Sequence, residues 1–160
     1  MQMAIRYVAL PTDSVEHIRA GKADANGLPA ERTVSDGDGN PCRHCLCEIP
    51  KGREMLVLAY RPFSSLQPYA EVGPIFLCAD SCKRYSDLSG PPGLYIDQNM
   101  LIRGYSQKER IVYGTGHVVS PEQREYEALA LLSQPGVEFV HVRSPTNNCY
   151  HFRMEIDDPR

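Results

Sequence analysis

An α+β fold, built mainly of antiparallel sheet with two or three helices, is what this sequence predicts. Strand-like segments come in consecutive pairs joined by turn-rich loops, the pattern of hairpins rather than of crossover-connected parallel strands. Only a few stretches carry a capped helical pattern with apolar residues at i and i+3. Two close cysteine pairs, Cys42 with Cys45 and Cys78 with Cys82, flank one of the hairpins as ligands of one metal ion would.

At 160 residues the chain is expected to form one domain, 1–160, with a zinc-knuckle subregion at about 41–88. The 17 basic and 20 acidic residues give a net charge of -3 and form no runs, so nothing marks a surface for nucleic acid or an anionic membrane. No apolar stretch reaches the roughly 20 residues a spanning helix needs, and Met1 to Leu10 lacks the apolar core and cleavage site of a secretory leader. A cytoplasmic location is expected. In that reducing compartment the 6 cysteines read as thiols and thiolates rather than a disulfide framework.

Residues 3 to 10 alternate Ile5, Tyr7 and Ala9 on one side, a strand before Pro11. Thr12 or Asp13 caps a short helix whose apolar contact is Val15 and Ile18, with Gly21 as its stop. Residues 22 to 41 form a long loop with a brief strand at Arg32 to Val34. Within it, Asp36-Gly37-Asp38-Gly39-Asn40 imitates the start of a calcium loop. Pro41 and Cys47 then occupy positions that need glycine and a bidentate glutamate, so a tight polar turn is the better reading.

A Cys-x-x-Cys turn brings two sulfurs to one ion, and Gly52 permits the tight return after it. Glu54 to Phe63 and Gly73 to Leu77 read as an antiparallel hairpin that carries the chain back to the knuckle. If a helix begins near Ala79, Cys78 and Cys82 face the same point from its first turn. Knuckle, hairpin and helix start are the parts of a treble-clef-like zinc site with ligands Cys42, Cys45, Cys78 and Cys82. Four sulfurs leave no open position, so this zinc would be structural. Four buried thiols, a redox pair at Cys42 and Cys45, or an iron–sulfur cluster are the competing readings. Cys47 and His44 are spare candidates; both are expected to point away, with His44 donating a hydrogen bond to a ligand.

Beyond Gly90-Pro91-Pro92-Gly93, Met100 to Tyr105 and Arg110 to Val119 read as a hairpin about Ser106 to Glu109. Ser120 caps the next helix, Pro121 takes its first position and Gln123 completes a capping box. Its expected buried stripe is Tyr126, Leu129, Ala130 and Leu132. His117 reads as a satisfied strand residue and His17 as part of an exposed helix face.

The last segment reads as a hairpin, Val137 to Ser144 and Cys149 to Ile156, about Pro145 to Asn148. Alternation puts Val140 and Val142 on a common side with Tyr150, Phe152, Met154 and Ile156. The opposite face then collects Phe139, His141, Arg143, Cys149, His151 and Arg153. Such a set could bind an anion or pair a histidine with a thiol, but on one strand face it is most often solvated, and that is the expectation here.

Pro41-Cys42-Arg43-His44-Cys45, Tyr60-Arg61-Pro62-Phe63, Pro68-Tyr69-Ala70-Glu71, Gly73-Pro74-Ile75-Phe76 and His141-Val142-Arg143-Ser144 with Asn147-Asn148-Cys149-Tyr150 together resemble the bacterial domain-of-unknown-function 1203 family. The resemblance runs from about Ile5 to Arg153 and implies no activity. It implies that histidine can stand at the position of Cys78, an exchange that suits zinc, and that Cys47 is incidental.

The function expected is that of a non-catalytic binding or interaction protein. Arg143, Asn147 and Asn148, with Arg61 and Tyr69, would hold a small polar or anionic ligand, or the protein would bind a protein partner. The alternative is an enzyme using Cys149 with His141 or His151, or an incompletely coordinated zinc, in hydrolytic or thiol chemistry.

Overall fold

The computed structural model describes residues 3–93 and 97–158. Its elements are β1 (Ala4–Val8), α1 (Thr12–Arg19), β2 (Glu31–Val34), β3 (Glu54–Tyr60), β4 (Gly73–Cys78), β5 (Met100–Tyr105), β6 (His117–Val119), α2 (Arg124–Leu132), β7 (Phe139–Arg143) and β8 (Tyr150–Asp157). Every strand pair is antiparallel, so the mainly antiparallel α+β class expected from the sequence is the fold observed. The chain forms two compact units, one of Met1–Val8 with Ser86–Arg160 and one of Ala9–Tyr85.

The first unit is a five-stranded sheet in the order β1-β8-β7-β5-β6. Strand β7 lies inside it and is buried along its whole length. Tyr7, Ile102, Val140 and Met154 share one face by register. Helix α2 covers that face: the Tyr7 hydroxyl donates to Glu125 at 3.3 Å, and His117, paired across from Ile102, sits 3.3 Å from Glu127.

Helix α2 differs in detail from its expectation. Residues 121–123 form a turn, the helix starts at Arg124, and the Ser120 hydroxyl contacts the Gln123 side chain at 3.4 Å instead of a helix N–H. The buried stripe is Ala128, Leu131 and Leu132, whereas Tyr126 is 76% exposed. Ala128 allows close approach to the sheet, and the Tyr126 hydroxyl is left to water. The strand expected over Arg110 to Val119 is interrupted. The turn at Ser106 to Glu109 is present, with Glu109 at a φ of 62°. Past Ile111 the chain leaves the sheet through Gly114, at a φ of 87°. Thr115 folds in so that its hydroxyl accepts the Gly104 N–H at 2.9 Å.

The second unit holds the three-stranded sheet β2-β3-β4. Leu56 faces Leu77 and Leu58 faces Ile75 on one side, all buried; Met55 and Val57 pair with Cys78 and Phe76 on the other. The residues before β3 are tied into a turn. Ser35 is buried, its hydroxyl donating to the Ile49 carbonyl at 2.7 Å, and Asp36 accepts the Asp38 N–H at 3.0 Å and the Asn40 amide at 2.6 Å. The imitation calcium loop is thus a hydrogen-bonded polar turn.

Gly37 shows why that turn needs glycine. Its φ is 80°, and an added Cβ would stand 2.8 Å from the Lys51 Cβ. A Gly37→Ala substitution is expected to destabilise the protein by about 1–2 kcal/mol through backbone strain and collision. Urea denaturation reads this directly, and an unshifted midpoint would contradict it.

Candidate metal centre

The knuckle is assembled from backbone bonds that leave its sulfurs free. Leu46 N–H donates to the Cys42 carbonyl and Cys42 N–H to the Cys47 carbonyl, each at 2.9 Å. The turn closes with Leu46 at a φ of 56°, a left-handed conformation usually given to glycine. Burial of the Leu46 side chain offsets that strain. Arg43 N–H donates to the Phe76 carbonyl at 3.1 Å, and Cys42 forms a parallel bridge with Phe76. This docks the knuckle on the outer edge of β4, two residues from Cys78. Its position is enforced by Arg43, whose guanidinium lies 5.7 Å from the Phe76 ring centre and donates to the Pro41 carbonyl at 2.6 Å.

As a result the sulfurs of Cys42, Cys45, Cys78 and Cys82 all lie within 4.8 Å of one another. Cys42 and Cys82 are 3.9 Å apart. Metal–sulfur bonds of about 2.3 Å in a tetrahedron require sulfur–sulfur edges of roughly 3.8 Å, so these four residues could hold a single ion with little movement. Among the described residues no other group of three or more histidine, cysteine, aspartate or glutamate side chains is gathered in this way. All six cysteines are free of disulfides.

The surroundings favour negative charge on two of the sulfurs. Cys42 accepts the N–H of Cys78 at 3.3 Å and of His44 at 3.5 Å. Hydrogen bonds from Cys45 and then Cys78 hold its thiol down to about 6. Cys82 is 3.1 Å from His44 Nδ1 and accepts a bond from Arg19 Nη2 at 3.2 Å. Its thiol is lowered by Cys42, Cys45 and Cys78, with His44 adding to them. Cys45 and Cys78 are raised, each chiefly by Cys42, because neighbouring sulfurs without a cation cannot all be thiolates.

His44 is buried inside the knuckle and does not compete as a ligand. One ring nitrogen addresses Cys82 and the other lies 2.8 Å from the Thr12 hydroxyl. This is also why Thr12 does not cap α1. Pro11 occupies that position with no side-chain bond, and the hydroxyl of Thr12 is committed to the histidine. Cys47 points away, exposed, with its thiol toward the Cys45 carbonyl at 3.5 Å. Sequence reasoning missed Arg19. Its Nε donates to the Cys78 carbonyl at 3.1 Å while Nη2 reaches Cys82 and Nη1 binds Glu16 at 2.9 Å, so one guanidinium spans the second cysteine pair. The only sequence signal was a basic residue in the last turn of a helix.

No helix starts near Ala79. Residues 79–86 are irregular. Ala79 N–H continues the pairing of β4 to Glu54, Tyr85 N–H bonds the His44 carbonyl at 2.9 Å, and Arg84 donates to the carbonyls of Ala9 and Leu10. These bonds pull the segment back over the knuckle, and its sequence offers no apolar stripe that would favour a helix instead.

The far hairpin is organised differently from its expectation. Val140 faces Met154 and Val142 faces Phe152 as expected, but the register then slips and Arg143 faces Tyr150. His151 is the extra residue of this bulge, and Tyr150 joins the His141 side in its place. That face is not solvated. Phe139, His141, Arg143 and Tyr150 are all buried, His141 at 0% and Arg143 at 3% exposure. Tyr105 stacks on Phe139 at 5.3 Å, the His141 ring lies 4.3 Å from Tyr105 and 4.8 Å from Tyr150, and the Arg153 guanidinium sits 3.8 Å above Phe139. Solvation loses because Tyr105, Phe139 and Tyr150 pack around His141 on this face and their rings supply cation-accepting faces for the arginines.

The ligand and catalytic candidates in this region separate. Arg143 donates to the Asn148 carbonyl at 3.2 Å and addresses His141 Nδ1 at 3.0 Å. Asn148, exposed at a φ of 58°, serves the turn, and Asn147 beside it is exposed. The Cys149 N–H bonds Ser144 Oγ at 2.9 Å and its thiol lies 3.9 Å from the Asn147 carbonyl, so its hydrogen bonds run to the turn and to neither histidine. His151 is half-buried. In the other unit Arg61 is half-buried beside a cleft, and Tyr69 N–H donates to the Gln67 side chain at 2.8 Å.

These features describe a small α+β protein with a four-cysteine centre able to hold a metal ion. A family model described as a protein of unknown function (DUF1203) matches residues 39–155, and the chain belongs to that family. No curated protein and no solved structure matches it. Among the described residues no helix is long and apolar enough to cross a membrane.

Burial, reinforced by Arg143, Arg153 and Arg103, holds His141 well below its ordinary value. The Arg143 N–H groups can only donate, so Nδ1 is the accepting nitrogen of a neutral ring. In the unfolded chain the same histidine takes a proton near its usual value of about 6.5. Below that pH the unfolded state binds more protons than the folded one. The His141 contribution is therefore fully present above about pH 6.5 and is lost as pH falls. Denaturation of wild type and His141→Gln at pH 5 and pH 7.5 should show a smaller acid loss in the variant. Equal losses would contradict a neutral buried His141.

Proposed function

We propose that Cys42, Cys45, Cys78 and Cys82 hold one zinc ion as a structural element of a cytosolic bacterial protein whose role is non-catalytic binding. The observation that carries this reading is the convergence of four sulfurs, which supplies every position of a tetrahedron. A filled shell leaves no site for an activated water, so the ion would serve by joining the knuckle to the end of β4. Zinc is preferred because an all-thiolate tetrahedral shell in a reducing compartment suits it. Knuckle and hairpin stand in treble-clef order, with the irregular 79–86 segment where a helix start is usual. The partner is a small polar or anionic ligand or another protein, with no role for nucleic acid or membrane.

Elemental analysis of untagged protein, joined to a thiol count before and after chelation, tests the reading. One zinc per chain is expected, with the thiols of Cys47 and Cys149 accounting for the count before chelation and the other four appearing only after it. Cys82→Ser should lose metal and Cys47→Ser should retain it. Metal-free protein with all cysteines titrating at once would end the proposal.

A further inference from the structure

We infer that the cleft between α1 and the end of β3 binds a small monocarboxylate with an apolar body, anchored by Arg61. The inference rests on the reading of the protein as a binding protein and names the class of its ligand. The cleft has a volume of about 470 Å³, within the usual range for small-molecule sites. One wall is the α1 surface carrying Ser14 and Ile18, and Leu10, Leu58 and Phe63 make the lining largely apolar.

Arg61 lies at this cleft, just past the end of β3, and is half-buried. Its Nε is buried and has no hydrogen-bond partner, and among the described residues the side chain makes no hydrogen bond or ion pair. A guanidinium N–H taken out of water without an acceptor is costly, and a carboxylate is the planar acceptor that matches the guanidinium fork in pairs. Other arginines of this unit are committed, Arg19 at the cysteine centre and Arg43 and Arg84 to main-chain carbonyls.

The acids at the cleft set the ligand's charge. Asp24 is occupied: one oxygen accepts the N–H groups of Asn26 and Leu28, and the other accepts the Ala59 N–H at 3.0 Å. It shapes the cleft without neutralising Arg61. Asp13 lines the same cleft and forms no ion pair with Arg61. A dianion or phosphate would meet this second negative charge, whereas one carboxylate on Arg61 with an uncharged apolar remainder along Leu58 and Phe63 would not.

Titration of the protein as purified with phenylacetate, phenethylamine and inorganic phosphate, followed by amide NMR shifts, tests the assignment. Phenylacetate should bind saturably and shift residues of α1 and the end of β3. Its affinity should fall at least about tenfold in Arg61→Gln and Arg61→Ala and hold or rise in Asp13→Asn. Phenethylamine and phosphate should not saturate in the same range. Absent phenylacetate binding, unchanged affinity in Arg61→Gln, equal binding of phosphate, or weakened binding in Asp13→Asn would each overturn the inference. Loss of folding in both Arg61 variants would also overturn it, by making the arginine structural. Metal content measured on the same samples separates the two readings: zinc without phenylacetate binding sinks the cleft alone, and binding without zinc sinks the metal centre alone.

Discussion

Cys42 is fixed from two directions, and the geometry of the second unit follows from it. Its backbone is bridged to Phe76 beside β4, and its sulfur accepts the N–H of Cys78 from the same strand. A residue held at both ends of its side chain has almost no freedom left, so the Cys-x-x-Cys turn has one orientation on the sheet. Cys45 follows from the turn, Cys78 from the strand, and Cys82 from the segment that Arg84 and Tyr85 fasten back over the knuckle. The four sulfurs meet because ordinary backbone hydrogen bonds place them there, which is the preorganisation a metal site needs to bind without a large ordering cost.

Each unit buries ionisable groups, by opposite means. In the second unit the sulfurs gather negative charge and draw Arg19 and His44 toward it. In the first unit the positive charges of Arg103, Arg143 and Arg153 surround a neutral histidine and rest against aromatic rings. The first arrangement could be completed by a cation. The second tolerates its own excess because ring faces partly replace water around each guanidinium.

Much of this was legible in the sequence where the signal is local. Strand pairs announced themselves through alternation and turn residues, as in β3 and β4 or β7 and β8, and Cys-x-x-Cys with Cys-x-x-x-Cys located the centre. What could not be read is non-local. Arg19 and Cys82 are 63 residues apart, and no pattern in either neighbourhood records that they touch. The bulge at His151 moved Tyr150 to the other face, because alternation assumes an unbroken ladder. His141 and Arg143 looked like surface residues because composition does not reveal that Tyr105 of β5 and Tyr150, brought over by the bulge, would pack against them. Thr12 carried a good capping signal, but a buried histidine nitrogen outranked an N–H that water can satisfy.

The docking of the knuckle on β4 also has a consequence for how the protein avoids its own kind. Strand β4 is the last of its sheet, and an open strand edge is a template on which another chain can add itself. Here Arg43 and Cys42 occupy part of that edge, using the Phe76 carbonyl to which an N–H of a foreign strand would otherwise donate. Whatever keeps the four sulfurs together keeps this cover closed. Disrupting the cysteine cluster therefore threatens more than local order: it uncovers Ile75-Phe76-Leu77, an apolar run of an edge strand, at the place where chains could join edge to edge.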